Sequence, residues 1–64
     1  MEIKNAPDYA KNYEYIVAQV INGEYIFHAV YTNGFLADDA ASELENGIVF
    51  HNVRIQGIKK KNNI

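Results

Sequence analysis

The chain has no cysteine and no tryptophan, one proline, one serine and one arginine. Without cysteine there is no disulfide, no thiolate metal ligand and no thiol nucleophile. The single serine, Ser42, stands among acidic residues with no glycine elbow around it, so the usual setting of a hydrolase nucleophile is missing. His28 and His51 are the only histidines and show no HExxH-like spacing, so no metal site is expected. The glycines Gly23, Gly34, Gly47 and Gly57 are isolated and read as turns or breaks, not as a phosphate-binding loop. No apolar run approaches the roughly 20 residues of a membrane span. The opening Met1-Glu2-Ile3-Lys4 is followed by polar residues and Pro7, unlike a secretory leader. The expectation is a cytoplasmic, non-enzymatic protein with no cofactor and no membrane partner.

What the chain does have is a hairpin. In Tyr13 to Tyr31, YEYIVAQVINGEYIFHAVY, two β-prone runs flank Asn22-Gly23. Both residues accept the positive φ of a type I′ turn, whose twist matches that of paired strands. A two-residue turn there pairs Ile21 with Glu24, Val20 with Tyr25, Gln19 with Ile26, Ala18 with Phe27, Val17 with His28 and Ile16 with Ala29. Paired residues share a face. One face then carries Ile16, Ala18, Val20, Tyr25, Phe27 and Ala29, a core face. The other carries Tyr15, Val17, Gln19, Ile21, Glu24, Ile26, His28 and Val30, too apolar for a solvent face.

After the hairpin, Thr32 or Asn33 is placed to cap a helix. Leu36, Ala37, Ala40, Ala41 and Leu44 recur at helical spacing and give one apolar stripe. Phe35, in the first turn, is expected to fold back as a plug. Asn46-Gly47 ends the helix, with Gly47 in the left-handed position. Ile48 to about Gln56 reads as a third strand, with Ile48-Val49-Phe50 apolar on both sides and His51-Asn52 able to split it as a bulge or turn. The sequence therefore predicts an α+β fold in ββαβ order, a three-stranded sheet with one helix on one face. Residues 1–12 are expected to form an irregular arm, 13–58 the domain and 59–64 a basic, solvated tail.

The helix is expected on the Ile16/Ala18/Val20/Phe27 face. That leaves Tyr15, Val17, Ile26, His28 and Val30 as an uncovered interface. Burying a face of roughly 400–500 Å² would stabilise the chain by on the order of 10 kcal/mol before association costs. That is comparable with the whole net stability of a domain, about 5–15 kcal/mol. A chain of 64 residues has a marginal core, so a homo-oligomer, a dimer or higher, is expected. The net charge is −2; Asp38, Asp39, Glu43 and Glu45 crowd the helix and Lys59 to Lys61 lie near the end of the chain. This balance argues against nucleic acid as the partner, since counterion release rewards clustered basic residues.

The run from Tyr15 to Phe27, the Ala-rich acidic helix and Gly47-Ile48-Val49 resemble small phage- or prophage-borne orphan proteins that pair a hairpin with one helix. The resemblance covers about residues 13–50. It implies a role by binding, as an inhibitor or anti-defence protein directed at a host protein, or as a sponge for a nucleotide signal. It carries over no active-site residue. Two readings follow. In the first, the acidic helix and the uncovered sheet face bind a host protein. In the second, an oligomer holds a small nucleotide ligand at a subunit interface lined by Tyr15, His28, Tyr31, Asn52 and Arg54. Arg54 is the residue type suited to grip a phosphate with two parallel hydrogen bonds.

Overall fold

A computed structural model describes residues 2–52. Along the chain come β1 (Ile3–Lys4), a short 3-10 turn (Asp8–Asn12), β2 (Tyr15–Ile21), β3 (Glu24–Tyr31), α1 (Gly34–Ser42) and β4 (Gly47–His51). The four strands form one sheet in the order β1-β3-β2-β4. β1 runs parallel to β3, and β2 runs antiparallel to both β3 and β4. Over the described residues the fold is thus a small α+β unit with one helix. It has four strands instead of the expected three, because Ile3 and Lys4 pair with Tyr25 and Ile26. Within the expected arm, residues 2–12 contain β1 and the 3-10 turn. Pro7 sits just ahead of the 3-10 turn, where its fixed φ and missing N–H cost nothing.

The turn is as the sequence predicts. Asn22 has φ 53° and Gly23 φ 79°, and the expected pairs from Ile21–Glu24 to Ala18–Phe27 all form. Beyond them the register shifts. Val17 lies opposite Ala29, Ile16 opposite Val30 and Tyr15 opposite Tyr31, with the irregularity between Val17 and Ala18. His28 is the extra residue of a β-bulge, set opposite no partner. One added residue moves everything after it to the other side: Val30 joins Ile16, while Ala29 and Tyr31 join Val17.

The helix covers the face opposite to the one expected. Val17, Ala37 and Ala41 form its buried contact with the sheet, flanked by Tyr15, Tyr31, Ala40, Leu44 and Val49. The cause is topological. β3 and β4 are parallel and lie on either side of β2, so β3-α1-β4 is a crossover unit that straddles β2. Such crossovers are almost always right-handed, and the hand selects the face. Residue pattern does not report strand order, and both faces of this hairpin are apolar enough to receive a helix.

Local chemistry fixes the ends of α1. The Asn33 side chain accepts hydrogen bonds from the backbone N–H of Phe35 at 2.8 Å and of Leu36 at 3.2 Å, satisfying two of the unpaired donors at a helix start. At the other end Asn46, not Gly47, takes the left-handed conformation, with φ 61°. Gly47 opens β4 and is needed for a different reason: a Cβ there would run into the backbone carbonyl of Ala41. The Gln19 side chain donates to the Glu45 carbonyl at 2.9 Å and the Val20 N–H donates to the Asn46 carbonyl at 3.0 Å. These two bonds tie the helix exit to β2.

The other face of the sheet, here the open face, carries Ile3 from β1, Ile16, Ala18 and Val20 from β2, Tyr25, Phe27 and Val30 from β3, and Ile48 and Phe50 from β4. No charged residue is among them. The Tyr25 and Phe50 rings meet edge to face, 5.1 Å apart. The register sets Ala18 between their strand positions, and Ala18 is fully buried. The N-terminal segment reaches one end of this face, where Ala10 packs near Ile3, Ile16 and Phe50 around a cleft of about 360 Å³. It is held by Asn52, whose side chain donates to the Lys11 carbonyl at 2.7 Å and whose N–H donates to the Glu14 carbonyl at 2.7 Å.

Candidate functional site

Each residue expected to form the interface has a definite place, and they do not form one patch. Val17 has no exposure and lies under α1. Tyr15 packs against the same cluster; its ring stacks on His51 at 4.8 Å, and a Cβ on Gly34 would come within 3.2 Å of it. Ile26 shares that face but sits near the turn, half-buried beside Gln19. His28 is exposed at the bulge, and Val30 has crossed to the open face. The expected single face is corrected on two counts, the bulge and the side on which the helix lies.

The residues expected to line a ligand pocket are likewise divided. Tyr15 and Tyr31 are opposite one another on the helix-covered face. His28 is out at the bulge. Asn52 clamps the N-terminal segment on the other side of the sheet. Arg54, with the expected end of the third strand at Gln56 and the basic tail, lies outside the described residues. The cleft on the open face shares only Asn52 with the expected set.

Two surfaces stand out instead. The first is the outer side of α1. Phe35 is 84% exposed and Leu36 54% exposed; Phe35 is no plug. The Asn33 cap sets the helix start one residue before Phe35, which turns Ala37 and Ala41 to the sheet and leaves Phe35 and Leu36 outward. Asp38, Asp39, Ser42 and Glu43 complete that exposed side, and Glu45 follows just beyond. The Ser42 hydroxyl is used locally, donating to the Asp39 carbonyl at 2.8 Å. The second surface is the open face, where Val20, Tyr25, Phe27, Val30 and Ile48 are half-buried with none of them inside the helix-side core. Among the described residues no cluster of three or more His, Asp or Glu side chains could hold a metal, and no helix is long and apolar enough to cross a membrane.

No protein-family model, curated protein or solved structure matches the chain.

Proposed function

We propose that this chain works by binding another protein, as an inhibitor or adaptor, through the outer side of α1. The observation that carries this is Phe35. Among the described residues, the largest side chain that the fold buries completely is a valine. A phenylalanine has far more apolar area to gain from burial, yet this one is held 84% in water on a capped helix turn. Leu36 beside it doubles the anchor, and the acids further along α1 supply a negative rim. Aromatic anchors surrounded by charge are the usual centre and edge of a protein interface. The fitting partner is a protein with an apolar pocket bordered by lysine or arginine. Opposite charges would speed the encounter and make it sensitive to salt.

The test is capture from a lysate of the source cell on four immobilised forms of the chain: parent, Phe35→Ala, a double Asp39→Lys/Glu43→Lys form, and His28→Glu as a control. The expected result is a protein retained by the parent and by His28→Glu, lost on Phe35→Ala, weakened on charge reversal, and eluted by salt. Identical retention by all four forms would overturn the reading.

A further inference from the structure

We infer that the open face of the sheet is the contact between two copies of this chain, packed sheet to sheet with both helices outermost. An antiparallel sheet with one solvated face alternates apolar and polar residues. Here the strand positions on both faces are largely apolar, and α1 covers only one of them. Among the described residues, no strand position on the open face carries a charge. Among the described residues the buried core is thin: of Ala10, Val17, Ala18, Ala37 and Ala41, four are alanines. The large apolar side chains Tyr25, Phe27, Ile48 and Phe50 are all on the side that α1 leaves uncovered.

A second copy fits this surface for two reasons. Across a two-fold axis each residue faces the same patch on its partner, so a charge there would approach its own copy. Strand positions without charge meet no such penalty, and they offer nothing by which a charged partner could be selected. The area is also sufficient. Strands lie about 4.8 Å apart and six residues span about 20 Å, so β3, β2 and β4 with the stub of β1 present on the order of 400 Å² per copy. With side-chain relief, two copies remove on the order of 1,000 Å² from water, where specific interfaces begin. The N-terminal segment, clamped by Asn52, bounds this patch at one end. The resulting sandwich carries α1 on both outer surfaces, so it displays two Phe35 sites pointing apart. The inference uses residues distinct from the docking site and stands whether or not that site binds a protein.

Sedimentation of the full chain from about 1 to 500 µM tests it. The expected mass is twice the 7.3 kDa chain, with Phe27→Glu shifting the dimer dissociation constant at least 100-fold and Phe35→Glu leaving it unchanged. A second variant, Phe27→Trp, covers the case in which the glutamate prevents folding. It introduces the chain's single indole, whose emission should be blue-shifted at high concentration and move to the red on dilution. A chain that sediments at single mass throughout overturns the inference, including one that instead floats with neutral phosphatidylcholine vesicles. A dimer that persists in folded Phe27→Glu, or indole emission in Phe27→Trp that ignores dilution, places the contact elsewhere and overturns it as well.

Discussion

Two glycines test the local account in different ways. At Gly23 there is space but a positive φ of 79°, with nothing within 4 Å of an added Cβ. The constraint is conformational alone. Gly23→Asn should stay within about 1 kcal/mol of the parent, because asparagine accepts the left-handed region. Gly23→Val should cost about 1–3 kcal/mol, read as the shift in denaturant midpoint. At Gly47 the constraint is steric, because the neighbour in the way is the Ala41 backbone and not a movable side chain. Gly47→Ala should cost about 3 kcal/mol, the upper end for overpacking, and Gly47→Asn should not relieve it. The two glycines would then differ in whether asparagine substitutes. Asn33→Ala removes the acceptor for two helix donors and should lower stability by about 1 kcal/mol. Loss of α1 exchange protection ahead of the sheet would identify the site of the damage.

At the level of elements, the hairpin was legible in the sequence and its far half was not. Asn22-Gly23 dictates the turn, the turn dictates the four pairs nearest to it, and all four form. The bulge has no such signal: Glu24 to Tyr31 contains neither glycine nor proline, and Ala29-Val30 reads equally well in either register. The helix was legible for the same reason as the turn, since local chemistry decides it, and its cap was narrowed to Thr32 or Asn33, of which Asn33 caps. The side of the sheet on which it lies was not, because that depends on β4 pairing with β2 and on the hand of the crossover. Those are long-range choices that leave no local mark. The candidate site suffered in proportion. Tyr15 and Val17 passed under the helix, Val30 changed sides, and Phe35, read as a core plug, became the most exposed large apolar residue among the described ones. The bulge makes a sharp prediction. Deleting His28 should leave every other side chain on its present face. The shortened chain should fold with a loss of about 1 kcal/mol or less, within the ordinary range for a single change, and with an unchanged circular dichroism spectrum. Deleting Ile26 with the turn held sets Phe27 opposite Gln19 and His28 opposite Ala18, moving both to the other face, and should destabilise the hairpin far more than deleting His28. His28→Glu, at an exposed and unpaired strand position, should change stability by no more than about 0.5 kcal/mol.

At the scale of the molecule, the governing fact is that the described residues form a sheet with two apolar faces and one helix. One face is closed by α1 through alanines that let the backbones approach closely. The other carries Tyr25, Phe27, Ile48 and Phe50 and, among the described residues, is covered only where the N-terminal segment reaches it. Association and folding should therefore be coupled. The most direct measurement is thermal unfolding of the full chain at two protein concentrations, about 5 and 500 µM. If two chains unfold together, a roughly 100-fold rise in concentration adds about 2.7 kcal/mol by mass action. With an unfolding entropy of about 2.1 cal/mol/K per residue over both chains, that raises Tm by on the order of 10 °C. A Tm that is the same at both concentrations would contradict the account, since the open face would then be stable in water without a second copy.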